Sequence, residues 1–242
     1  MLHQTTGIVL HTTKFNDKTL FVHILTEEFG HITYAIASGP SKKYGRKIAY
    51  FQPFSILDLI VEHKHNRNIH HIKESKIHIP LLHLQLDPIK IPISLFLSEF
   101  VYRAIKETSP NKQLFDFIIQ SIQVLDLSKK GIANFHLVFL LKLTRFLGFY
   151  PNTDANIQDI MYFDMINGIF VYTHPFHNHY LLPNDAKIFH SLMRMNYENM
   201  HIFTFSRKDR MKIIQKVIEY YQLHLTEFSI PKSLEVLHAL FD

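Results

Sequence analysis

The 242-residue chain contains no cysteine. That absence excludes a disulfide, a thiol nucleophile and any cysteine-ligated zinc site. Glycine is scarce, at seven residues, and none sits in a phosphate-cradling loop. There is no nucleophile elbow and no His-x-x-x-His pair enclosing a glutamate. With no catalytic constellation in view, the chain reads as a binding protein and not an enzyme. No apolar run reaches the roughly 18 residues of a membrane span. The start, Met1-Leu2-His3-Gln4-Thr5-Thr6, lacks the basic and apolar segments of a signal peptide, so a cytoplasmic location is the expectation. Internal repeats and low-complexity tracts are also missing.

Among what is present, hydrophobic residues make up 47% and charged residues 19%, an ordinary balance for a chain with a real core. The formal net charge is +5, and 18 histidines can add to it below pH 7. Residues 1–80 hold ten Lys/Arg against six Asp/Glu, and residues 81–242 hold sixteen against fifteen. The excess positive charge therefore sits in the first third, where it attracts polyanions.

Periodicity divides the chain near residue 80. Segments 6–15, 19–26, 31–38, 54–63 and 69–79 are rich in β-branched and aromatic residues. Their apolar positions alternate, as in Leu20, Val22 and Ile24 or Leu57, Leu59 and Val61. Turn residues separate them at Asn16-Asp17, Gly30, Gly39-Pro40 and Asn66-Arg67-Asn68. Five short strands fit a small closed barrel, of either the OB or the SH3-like type. Residues 81–92, with two prolines, read as a connector. Beyond them the period becomes helical over 93–107, 112–127 and 132–147, then again over 185–195, 206–228 and 232–241. Gly148 reads as the cap of the third helix, which Pro151 stops. Within 152–183, a short hairpin is expected around Ile166-Asn167-Gly168.

Two basic stretches carry the clearest chemistry. Ser41-Lys42-Lys43-Tyr44-Gly45-Arg46-Lys47 places four cations and one ring between two strands, with no acid. Such a loop can track phosphates and stack a base, or it is simply a solvated loop kept basic for solubility. The second runs from His63-Lys64-His65-Asn66-Arg67-Asn68 to His70-His71, at the turn joining the last two barrel strands. With Lys14 and Lys18 flanking the first turn, the candidate DNA-binding set is Lys14, Lys18, Lys42, Lys43, Tyr44, Arg46, Lys47, Lys64 and Arg67. The tightest histidine cluster is His174, His177 and His179. His63 and His65 have no carboxylate or cysteine partner at a recognisable metal spacing. The three imidazoles of the cluster could reach one ion, but Pro175 and the loop context leave their geometry undetermined, so no metal site is assigned. Lys208, Lys212 and Lys216 form an i, i+4 stripe that reads as a solvated helix face.

The order of these pieces resembles the RecO family. The residues that carry the likeness are Gly7-Ile8-Val9-Leu10, Asn16-Asp17-Lys18-Thr19-Leu20, Leu25-Thr26-Glu27-Glu28-Phe29-Gly30, the small and basic segment from Ala37 to Lys43, and Gln52-Pro53-Phe54. They continue with Leu141 to Pro151, Tyr220 to Leu225 and Lys232 to Leu237. The resemblance implies an α+β fold: an N-terminal five-stranded OB-fold barrel (1–80), then an all-α helical domain (81–242) with a small irregular or β insertion. It also implies a recombination mediator in DNA repair that binds single- and double-stranded DNA, acts with RecR to load RecA, and anneals strands. The C-terminal tail of single-stranded-DNA-binding protein would dock near Lys142 and Arg145, with Val138 and Leu141 as apolar contacts. No cofactor is implied. Many relatives carry a four-cysteine zinc module where this chain has residues 152–183, so the absence of cysteine rules out that site here. The competing readings are a general nucleic-acid-binding module, acting on RNA for example, and a histidine-dependent phosphoesterase.

Overall fold

The structure is a computed structural model that describes residues 1–38, 48–63, 67–106, 109–152 and 162–240. Five strands come first: β1 (Leu2–Asn16), β2 (Thr19–Thr26), β3 (Gly30–Ala37), β4 (Ile56–Glu62) and β5 (Ile69–Ile79). They close into a barrel in the order β1-β2-β3-β5-β4. All neighbours are antiparallel except β3 and β5, which meet in parallel at Thr33–Ile69, Tyr34–His70 and Ala35–His71. A long first strand shared by β2 and β4, with a short parallel closure, is the OB arrangement and settles the choice of barrel.

Strand β1 serves two neighbours because it bends. Its early residues pair with β4, Leu2 opposite Glu62 through Ile8 opposite Ile56, and its ladder with β2 runs from Gly7 to Asn16. Register shifts between Val9 and His11 and between Lys14 and Asn16 are the bulges that coil it. Gly7 lies where the two ladders overlap. A Cβ there would sit 2.6 Å from Ile24 Cγ2 and 2.9 Å from Leu59 Cδ1, so the tightest point of the barrel requires a residue without a side chain. Inside, Val9, Val22, Ile24, Tyr34, Leu57, Leu59 and Val61 form the hydrophobic core.

Among the described residues, three helices belong to the same compact unit, residues 1–127 with 231–240. These are α1 (Lys90–Ala104), α2 (Lys112–Leu127) and, from the C-terminal end, α6 (Leu234–Leu240). Helix α1 starts at Lys90, not at residue 93, because Pro92 occupies its first turn, where a missing N–H costs nothing. Lys90 is buried and donates to the carbonyl of Asp126 at 2.6 Å; the Asp126 carboxylate accepts from the N–H groups of His83 and Leu84. Glu99, buried on α1, accepts from the N–H groups of Lys232 and Ser233 and from the Ser233 hydroxyl, just ahead of α6. The change of period at residue 80 and this division by compactness are thus different partitions of the chain.

The second unit comprises residues 128–230. Its central helix α3 (Ile132–Phe146) is buried on nearly every face. Gly148 follows it at φ 84°, and the Phe149 N–H reaches back to the Thr144 carbonyl at 3.1 Å, a Schellman closure. Strands β6 (Tyr162–Asp164) and β7 (Ile169–Val171) form the expected hairpin, with Gly168 at φ 65°. The pattern did not reveal β8 (Tyr180–Leu181), two residues paired on the other edge of β6. Helices α4 (Pro183–Met193) and α5 (Arg207–His224) finish the unit, the latter started by a Ser206–Asp209 capping box. Among the described residues no helix is long and apolar enough to cross a membrane.

Candidate nucleic-acid interface

In OB folds, oligonucleotides lie on the face of strands 2 and 3, between the β1–β2 and β4–β5 loops. Here the outward residues of β2 and β3 pair across the ladder as Phe21 with Ala35 and His23 with Thr33. The part of this face nearer the start of β3 is covered from within the same unit. Tyr102, on α1, packs its ring 4.8 Å from His11, 4.6 Å from His23 and 5.5 Å from His31. The Thr33 hydroxyl bonds His23 Nδ1 at 3.0 Å, and the Ile105 carbonyl takes His31 Nδ1 at 2.9 Å. Burial, then the neighbouring His31 and His11, lowers the His23 pKa to about 4. Burial also lowers His11 and His31. These imidazoles are neutral packing rings at pH 7 and do not act as phosphate-binding cations. The part of the face nearer the β1–β2 turn, at Phe21 and Ala35, is left partly open.

At that turn, Lys14 and Lys18 are both exposed. The Lys14 ammonium pairs with Asp17 at 2.6 Å, and the Lys18 N–H is held by the Asn16 side chain at 2.9 Å. Between them stands Phe15, 64% exposed, its ring 4.6 Å from that of Phe21. Sequence reading passed over Phe15; the only signal was an aromatic residue between a lysine and a turn. Lys42, Lys43, Tyr44, Arg46 and Lys47 lie outside the described residues, as does Lys64. The flanks of the first stretch are on view: the Ser38 N–H donates to the Lys18 carbonyl at 2.8 Å, and the Thr12 hydroxyl to the Phe51 carbonyl at 3.4 Å. Ser38 and Phe51 therefore adjoin β1 and its turn.

The other loop borders a groove of about 510 Å³ lined by Phe29, His63, Arg67, Asn68 and His70 among others. Phe29 stacks on His63 at 4.4 Å, and His63 on His70 at 4.2 Å. Arg67 is exposed at the rim. Burial lowers the buried His70 further from the cationic form. The groove thus presents ring surfaces, with both the Arg67 guanidinium and the Glu28 carboxylate in its lining.

In the second unit the predicted peptide site needs correction. Val138 and Leu141 are 1% and 3% exposed. A helix apolar on nearly every face is buried on nearly every face, so these two side chains belong to the core and offer nothing for a peptide to lie on. The cations do reach the surface. Lys142 Nζ sits 4.5 Å over the Tyr197 ring, and the Arg145 guanidinium 4.1 Å over the Tyr150 ring. Burial and then the Arg145 charge lower the Lys142 pKa, against the pull of Glu198.

The histidine cluster does not converge. His174 bonds the Tyr180 hydroxyl at 2.7 Å, His177 faces Asp164 at 3.2 Å, and His179 faces Glu219 at 3.6 Å. Among the described residues no group of three such side chains is placed to hold a metal ion. Asp164 carries the turn instead, accepting from the N–H groups of Ile166 and Asn167 and from the Asn167 amide. In the α5 stripe, Lys212 pairs with Asp185 and Lys216 with Glu219.

The comparisons with known proteins follow this architecture. Residues 1–80 match the family model of the recombination protein O N terminal, and residues 85–234 that of the recombination protein O C terminal. The chain belongs to the RecO family. It is 48% identical to the DNA repair protein RecO of Azobacteroides pseudotrichonymphae and 42% identical to that of Phocaeicola vulgatus, over the whole of each chain. The RecO of Flavobacterium psychrophilum is 35% identical over 98% of both. With no cysteine in the chain, a four-cysteine zinc module has no ligands here.

Proposed function

We propose that the chain is a DNA repair and recombination mediator that binds DNA on the barrel rim, recruits partner proteins through its helical part, and catalyses no bond chemistry. The observation that carries this reading is an OB barrel whose partly open face ends at a turn flanked by the exposed Lys14 and Lys18. Phosphates are neutralised by Lys14, Lys18, Arg67 and the cations of the two basic loops. The tail of single-stranded-DNA-binding protein, acidic and ending in a carboxylate, is received by the Lys142 and Arg145 pair on the rings of Tyr197 and Tyr150. Acting with RecR, the chain then exchanges that coat for RecA and anneals complementary strands.

Two titrations test it, with a labelled single-stranded oligonucleotide and a labelled acidic tail peptide. Each should saturate. Replacing Lys142 and Arg145 together by Gln should weaken the peptide about tenfold or more, roughly 1.4 kcal/mol, and leave DNA affinity unchanged. Failure of the oligonucleotide to saturate would remove the mediator reading. A peptide indifferent to the double change would remove the tail site alone.

A further inference from the structure

Strand β1 misses one beat just before its turn. Lys14 is opposite Leu20 and Asn16 opposite Thr19, which leaves Phe15 as the extra residue of a bulge with no partner across the ladder. Bulges re-aim side chains. This one turns an aromatic ring outward at 64% exposure and lays it against Phe21, 4.6 Å between centroids and 30° between planes. Phe21 is itself half-buried and opposite Ala35, whose small side chain leaves the surface beside the ring pair low.

From this geometry we infer that Phe15, backed by Phe21, is the stacking platform for one unpaired base of a single-stranded nucleic acid. The inference rests on the proposed function and names the group that separates single strands from duplex. An exposed ring offers a flat surface of the kind that bases stack on in sequence-tolerant single-strand binding. Lys14 and Lys18 on either side stand where the phosphates of that nucleotide and its neighbour would run. A duplex keeps its bases stacked on one another and has none to give. A protein partner would call for a broader apolar patch than two rings edged by lysines and Asp17.

The test compares the full chain with Phe15→Ala and Phe15→Trp, using a labelled oligothymidine and a blunt duplex of equal length. Phe15 is exposed and outside the barrel core, so both variants should keep the wild-type circular dichroism, with at most a small drop in the melting midpoint of Phe15→Ala from the lost contact with Phe21. Phe15→Ala should bind the single strand about 5- to 150-fold more weakly, the range of one lost base stack. It should bind duplex as before and keep the same salt dependence; Phe15→Trp should restore single-strand affinity. Equal losses on both nucleic acids, or no loss on either, would overturn the platform. So would an Ala variant that keeps DNA affinity and loses only a protein partner. A wild-type chain that binds neither nucleic acid would instead defeat the proposed function itself.

Discussion

Gly7 shows how a single residue fixes the barrel on which the interface is built. The space a methyl group would need is taken by Ile24 and Leu59, both fully buried. Gly7→Ala should therefore destabilise the barrel by about 1–3 kcal/mol, the usual cost of overpacking. The check is the midpoint of denaturant unfolding at an unchanged slope, and a variant as stable as the parent would contradict it. At this scale the sequence was partly legible. Cations at turns were easy to place, since charge and loop composition coincide at Lys14, Lys18 and Arg67. Val138 and Leu141 were misplaced because a helix without a polar face gives no sign of which apolar residues stay outside. Phe15 was invisible because strict alternation cannot foresee a bulge that shifts the face of one residue.

Elements were read more easily than their ends. The strands and most helices came out within a few residues, because burial imposes periods of two and 3.6 directly on the sequence. The errors have local causes. Pro92 looked like a breaker but sits in the first turn of α1, and β8 is too short to show a period. Cross-element contacts were beyond reach, among them the cover of His11, His23 and His31 by Tyr102. Glu99, Arg103 and Lys106 complete the charged surroundings of that cluster.

The cluster makes the first unit acid-sensitive. His23 titrates near 4 in the fold against 6.5 when free. Its contribution to stability is whole above pH 6.5 and is lost as pH falls through 4, because the unfolded chain takes up the proton first. Glu99 acts lower on the scale. Burial pushes its carboxyl up, but hydrogen bonds from Ser233, Arg103 and Lys232 override this and hold it at about 2. Its contribution is present above its unfolded value of 4.5 and lost as pH falls towards 2. The thermal midpoint should thus decline between pH 7 and pH 4, and His23→Gln should flatten that decline. Circular dichroism melts across the range decide it; an identical pH slope in the variant would refute the role of His23.

On the scale of the whole molecule, the account gives each compact unit one kind of task. The first holds the barrel rim with its cations and exposed ring, and the second holds the ring-backed pair Lys142 and Arg145. The change of net charge and periodicity near residue 80 does not mark this division; it falls inside the first unit, which runs to residue 127 and takes up residues 231–240. The family's zinc module could be struck out from composition alone.

The central claim is that the cations of the basic segment 41–47 grip the phosphates. Fluorescence anisotropy of a labelled single strand over a salt series tests it most directly, comparing the wild type with a variant in which Lys42, Lys43, Arg46 and Lys47 are all replaced by Gln. The account predicts a steep fall in wild-type affinity with salt, and a variant whose logarithmic slope is shallower by about 3, the counterion release of four lost contacts on a single strand. A variant with the parent's affinity and slope would place the DNA on another surface.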